Sequence, residues 1–191
     1  AYGQGVWVEE KSDPDTGLRT GKILIGGVVN EIKPDSNLVE ANLTEADLAM
    51  ADLRGADLTG ANLKEANLSG ANLNEANLTN ANLSDAILAE ASLMDANLVD
   101  TNFESVDLTD VNLTGANFLY TNFTATNLNG VNLSGLDMTG VNFERASLWQ
   151  TNLAGSILDY ARWTDGENGE IATALSKPLY EDLNNLKPKV E

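Results

Sequence analysis

Neither cysteine nor histidine occurs anywhere in the 191 residues. Without cysteine there is no disulfide, no thiolate nucleophile and no sulfur-bearing metal site. Without histidine the usual proton-transfer base near neutral pH, which is also the commonest metal ligand, is missing. Aromatic residues make up only 6%, so a core has to be built mainly from leucine and alanine. No run of 18 apolar residues exists, which excludes a membrane-spanning helix and any membrane insertion. Cations are few as well: 11 lysines and arginines face 29 acids, a net charge of −18. Direct binding to nucleic acid or anionic lipid is opposed by that imbalance. No signal-peptide pattern is visible, and the chain begins at Ala1 rather than methionine. A soluble protein is expected, in the cytoplasm or, after loss of a presequence, in the periplasm or thylakoid lumen.

Against these absences stands one dominant regularity. From Ser36 to Asp165 the chain reads alanine, asparagine or aspartate, leucine, and two further residues, without insertion or deletion. Its 26 centres, Leu38, Leu43, Leu48 and every fifth residue through Leu58 and Leu83 to Trp163, are all Leu, Phe, Met or Trp. A period of five suits neither a helix nor a straight strand. It suits a strand that bends. Alanine and leucine point inward with asparagine outward between them, and two outward residues in succession then force a corner. Gly, Ser, Thr, Asn, Glu and Asp hold most of those corner positions.

The aromatic centres give the number of sides. Phe103, Phe123, Phe143 and Trp163 lie 20 residues apart, with Phe118 alone out of series. Densely packed interiors seat a ring on other rings rather than on a column of leucines. Four five-residue sides per coil follow. At ~4.8 Å per coil, about six and a half coils make a rod roughly 31 Å tall. Asn62, Asn82, Asn102, Asn122 and Asn142 then fall in one column, placed to stack as an amide ladder.

The run Ala61-Asn62-Leu63-Lys64-Glu65-Ala66-Asn67-Leu68 and its continuation to Glu75 resembles the pentapeptide-repeat family, widespread in bacteria and most abundant in cyanobacteria. The resemblance covers about two thirds of the chain. It implies an all-β, right-handed quadrilateral parallel β-helix, often with a helical cap at one end. It also implies that some relatives resemble DNA in shape and charge and bind type II topoisomerases, conferring quinolone resistance.

Three regions are expected: an N-terminal cap over 1–35, the solenoid over 36–165 and a C-terminal helical cap over 166–191. Gly5–Glu10 and Leu18–Ile25 are β-favouring stretches around the turn Asp13-Pro14-Asp15-Thr16-Gly17, which predicts a hairpin. Gly26–Ile32 would then lead onto the first coil. After Thr164-Asp165-Gly166 breaks the repeat, Leu175, Leu179, Leu183 and Leu186 fall at helical spacing. Ser176 suits an N-cap and Pro178 a first turn. A homodimer contact is the rival use of this segment.

Catalysis finds little to work with. Asp107 with Asp110, or Asp95 with Asp100, are the carboxylate pairs to consider, but acid–base hydrolysis needs them at set separations in a cleft. A smooth solenoid is expected to offer none. No calcium-binding G-G-x-G-x-D repeat occurs, and Gly5, Gly21, Gly26 and Gly27 form no phosphate fingerprint. No cofactor, metal or enzymatic activity is expected. An ice-binding threonine row fails too, because Val99 and Leu119 interrupt the column of Thr59, Thr79 and Thr139.

Charge and surface apolarity point instead to protein partners. The solenoid carries −14 over residues 36–165, spread over all four sides, with the most acidic side bearing Glu40, Asp57, Asp100, Asp137 and Asp159. B-DNA of the same length carries about 18 charges. Mimicry of DNA toward a type II topoisomerase is therefore one reading. The other is a protein-interaction or scaffold module of unidentified partner, acting through the outward Val99, Leu119, Tyr120 and Tyr160 on one side and Trp149 on another.

Overall fold

The computed structural model describes residues 5–162. From Ser36 the backbone winds in 20-residue coils. Parallel bridges join Asn42 to Asn62, Asn62 to Asn82 and Asn82 to Asn102, and the same interval recurs on the other sides. Each side is one five-residue unit. The first side carries Leu38 to Leu158 in steps of 20, the second Leu43 to Phe143, the third Leu48 to Leu148 and the fourth Leu53 to Leu153. The four-sided coil expected from the phenylalanine spacing is the one observed. Trp163 and the expected C-terminal helical cap lie outside the described residues.

One unit shows why the sequence bends every fifth residue. Ala66 donates its N–H to the Leu63 carbonyl at 3.0 Å, closing a turn whose third residue, Glu65, has φ of 58°. That geometry is a type II turn. The short straight stretch between turns pairs with the coil above: Leu63 N–H to Asn82 C=O at 2.7 Å, and Asn82 N–H back to Ala61 C=O at 2.9 Å. The asparagine side chain serves both directions. Asn82 Oδ1 accepts from Ser84 N–H at 3.1 Å and from Asn102 Nδ2 at 3.1 Å, while its own Nδ2 donates to Asn62 Oδ1 at 3.4 Å. Asn122 extends the ladder with a 2.8 Å bond to Asn102. Asn142 leaves it and donates to Thr124 Oγ1 at 3.0 Å.

The centres fill the interior. Leu38, Leu58, Leu83, Phe103, Phe118, Phe123 and Phe143 are all buried. Phe103, Phe123 and Phe143 stack with centroids 5.7 Å apart at each step. Phe118 reaches the column from the adjoining side, tilted 50° to Phe123 at 5.6 Å. Its neighbours in its own column are Leu98 and Met138, and methionine adapts to an irregular gap. Where threonine replaces the inward alanine, its hydroxyl is satisfied: Thr101, Thr121, Thr126 and Thr151 each donate to the carbonyl 23 residues earlier at 2.7–2.8 Å.

The coil-to-coil rungs run unbroken on the second side from Leu43 to Arg162, and elsewhere they have gaps. Among the described residues, none joins Ala86, Leu88 and Glu90 to Asp107 and Thr109 on the third side. On the fourth side Val111, Leu113 and Gly115 lack theirs to Asn132 and Ser134, and on the first Ala116 and Phe118 lack theirs to Asp137. The inward column differs at the gaps. At these three places the incoming residue is Val106, Val131 or Leu136, stacked on Ala86, Val111 or Ala116. Each is bulkier than the usual alanine and, unlike threonine, brings no hydroxyl to bridge the coils. Bulk alone does not open a rung, because Val111 on Ala91 and Val141 on Thr121 keep theirs.

The lower end is covered by an antiparallel sheet of β1 (Val6–Ser12), β2 (Arg19–Ile25) and β3 (Val28–Ile32), in the order β1-β2-β3. The expected hairpin is β1–β2. The stretch expected to lead onto the first coil is instead a third strand, returned by Gly26 and Gly27, both with positive φ (55° and 83°), as a two-residue hairpin loop requires. Ile23, Ile25 and Ile32 join the solenoid core. A β-bulge between Trp7 and Glu9 turns Trp7 and Glu10 toward the coils. There Arg19 gathers them: its guanidinium lies 4.5 Å from the Trp7 ring centre and bonds Glu10 at 2.9 Å, Asp47 at 3.4 Å and the Ala49 carbonyl at 3.0 Å. Trp7 Nε1 donates to the Asp47 carbonyl at 2.8 Å.

Candidate partner-binding side

The corner residue of each unit adopts a left-handed backbone at nearly every turn, and glycine is the residue that does so without strain. Two tyrosines nevertheless occupy such corners on the first side, Tyr120 and Tyr160, each with φ of 58°. Tyr120 is 56% exposed and Tyr160 78%. Between them in the column sits Gly140, and a Cβ built there would collide with the Tyr120 ring at Cδ1 and Cε1. The ring therefore occupies the space beside the glycine corner of the next coil. Leu119 and Val99, stacked one above the other beside it, are half-buried rather than free. Ile157, half exposed, adds a further apolar residue below Tyr160.

Sequence reasoning missed Ile157, and also Ile87 on the third side. Both occupy the ladder position where asparagine belongs, and both are exposed. An isoleucine at an outward amide position was the available signal. Trp149, 58% exposed, is on the third side, opposite the tyrosines. The structure thus brings Val99, Leu119, Tyr120 and Tyr160 to one side and leaves Trp149 on the far one.

The acids of the tyrosine side divide in two. Asp57 and Asp137 occupy the ladder position and accept from the turn: Asp57 Oδ1 takes the Thr59 hydroxyl at 2.6 Å and N–H at 3.1 Å, and Asp137 Oδ1 takes the Thr139 hydroxyl at 2.6 Å and N–H at 3.0 Å. The Thr139 hydroxyl and then its N–H hold the Asp137 carboxyl below its ordinary value. Glu40, Asp100 and Asp159 project from the turns.

The expectation of smooth sides needs correction. Where the rungs of the third side open, a cleft of about 320 Å³ is lined by Ile87, Ala89, Ser105, Asp107, Thr109 and Asp110 among others. Its carboxylate Asp107 is not set up for proton transfer. Burial opposes its charge most, but the Thr109 N–H and hydroxyl and the Asn127 amide outweigh that and lower its pKa. An ionised, hydrogen-bonded carboxylate has no proton to donate and little basicity. Among the described residues no group of three or more acids is placed to hold a metal ion, and no helix is long and apolar enough to cross a membrane.

The sequence profile described as Pentapeptide repeats matches the chain in eight copies, over residues 36–74, 71–110, 107–145 and 137–162. The chain belongs to the pentapeptide repeat family. Its solenoid is accordingly a right-handed β-helix, and pentapeptide repeat proteins are generally structural or interaction proteins rather than enzymes. Among solved pentapeptide repeat structures, the chain is similar to HetL, involved in heterocyst differentiation regulation in the cyanobacterium Nostoc sp. strain PCC 7120. It is 29% identical over 67% of this chain and 70% of that one, with a TM-score of 0.40. Rfr23 from the cyanobacterium Cyanothece 51142 is 32% identical over 59% of this chain and 91% of its own, TM-score 0.41. QnrB1, a plasmid-mediated fluoroquinolone resistance protein, is 24% identical over 77% and 72%, TM-score 0.42. None of the curated proteins matches the chain at a significant level.

Proposed function

We propose that this pentapeptide repeat protein is a non-enzymatic interaction module that binds a protein partner along its tyrosine side. The observation that supports the reading is the exposure of Tyr120 and Tyr160, 56% and 78%, in one column of the first side. Aromatic side chains exposed at a surface are common anchors of protein interfaces. Two tyrosines about 9.6 Å apart, two coils along a rigid ruler, with Leu119 and Ile157 beside them, make an apolar strip flanked by carboxylates. A partner with an apolar ridge and basic margins fits it.

The test compares wild type with Leu119→Ser/Tyr120→Ser and with Tyr160→Ser in recovery of partners from lysate. Loss of the same bound protein in both variants, with little dependence on salt, supports the tyrosine side. Recovery that survives both variants and weakens steeply with salt would instead favour recognition of the acidic surface. The sharpest contrary result is inhibition of gyrase supercoiling by the purified protein at micromolar levels. Relief of that inhibition by changing Asp57, Asp100, Asp137 and Asp159 to Asn would complete it.

A further inference from the structure

The sheet that covers the lower end has a second face, turned away from the coils. Val6, Leu24 and Val29 stand there in one cross-strand row, because Val6 pairs with Leu24 and Leu24 with Val29. All three are exposed, as is Val8 at the bulge; Val28, paired with buried Ile25, belongs to the opposite face. The next row is Glu9, Lys22 and Glu31, tied by ion pairs of 2.9 Å from Lys22 to Glu9 and 3.0 Å from Lys33 to Glu31. Val6, Leu24 and Val29, with Val8 at the bulge, make an apolar patch on the order of 300 Å², within the range of the largest patch on an ordinary monomer.

We infer that this face is the contact between two copies of the chain, stacked sheet on sheet with the rods pointing apart. Charge selects the occupant. The rod from residue 36 to 165 carries −14, so two copies repel along any of its sides. The cap from residue 5 to 35 has six acids against four cations, and most of those cations are paired within it. Among the described residues, this end is where two such acidic molecules meet with the least repulsion. A basic partner, by contrast, is drawn to the far more acidic rod rather than to this valine face. Geometry agrees: two three-stranded sheets pack about 10 Å apart. Both patches and their ion-paired rims together bury on the order of 1,000 Å², the lower bound for a specific interface. Leu24, on the middle strand, falls nearest the two-fold axis.

Sedimentation equilibrium of the full chain tests this directly. Wild type is expected to dimerise at micromolar concentration. Leu24→Glu and Leu24→Lys should each weaken the dimer at least tenfold while keeping the far-ultraviolet circular dichroism of the parent, because the side chain points to solvent in the monomer. Mixing the two variants should restore association, since the opposite charges then face each other across the axis. Val29→Glu gives a second, independent disruption. A chain that stays monomeric up to 100-fold higher concentration overturns the inference. So does a dimer unaffected by the cap variants, or one lost on Tyr120→Ser/Tyr160→Ser.

Discussion

Adjacent residues of this repeat do opposite jobs, and the contrast is measurable at Leu83 and Asn82. Leu83 is fully buried, so Leu83→Lys places an unpaired charge between two coils and should prevent folding or cost several kcal/mol. Asn82 is half-buried and its side chain takes part in three hydrogen bonds, so Asn82→Ala should cost about 1–2 kcal/mol and leave the fold intact by circular dichroism. Equal losses at the two sites would overturn the in/out assignment. This alternation was legible because five-residue spacing leaves only one way to bury alanine and leucine together. The stacking of Asn62 to Asn122 was legible on the same ground, but the departure of Asn142 to Thr124 was not, since it depends on a neighbouring hydroxyl. Ladder aspartates add a pH signature. Asp107 and Asp137 have lowered pKa values in the folded protein. Their contribution is full above the ordinary aspartate value of 3.8 and is lost as pH falls through the folded value. Replacing both by Asn keeps the Oδ1 acceptor that each turn uses, without a titrating proton. The double variant should lose less of its melting temperature between pH 5 and pH 2 than wild type does.

The capping sheet is the element in which sequence and structure part company. Its first hairpin announces itself through the Asp13-Pro14-Asp15-Thr16-Gly17 turn, in which Asp13 Oδ1 accepts from Asp15 and Thr16. The third strand does not, because its pattern is inverted: Val28 and Val29 face solvent while Asn30 is buried. The bulge that re-aims Trp7 and Glu10 is likewise invisible in a list of residue types. It does leave one trace, in Gly21. With φ of 144°, its α-carbon passes so close to the Glu9 backbone that an added Cβ would lie 2.7 Å from the carbonyl carbon. Gly21→Ala should therefore cost about 2–3 kcal/mol, more than Gly26→Ala, where a Cβ meets nothing within 4 Å and only the backbone preference is lost. Thermal melts of the two variants decide it. If they melt alike, the close approach at the bulge is not what fixes glycine there.

Across the whole molecule the coil is the unit of tolerance. Deleting Ala61–Asn80 removes one full turn and returns every column to register, whereas deleting Ala61–Glu65 rotates all later sides by a quarter turn and misaligns the phenylalanine column with the capping sheet. The shorter deletion should melt lower by circular dichroism. If it melts as high as the 20-residue deletion, columns of like residues are not what stabilises the rod. The candidate partner side was partly legible at this scale: Tyr120 and Tyr160 stood out by type and the 20-residue spacing put Trp149 on another side, but the packing of the Tyr120 ring at Gly140 needed the three-dimensional stacking. The lost rungs, finally, give the rod a grain. They fall on three consecutive sides, near Leu88, Leu113 and Phe118, while the side built on Phe103, Phe123 and Phe143 keeps all of its own. A beam loosened on three faces and tied on the fourth is compliant in one direction, hinging about the tied face. Amide deuterium uptake should accordingly be fast at Leu88, Leu113 and Asp137 and slow at Leu83, Phe103 and Phe123. The tyrosine side, next to the hinge, would then be able to follow a curved partner instead of imposing a straight edge on it.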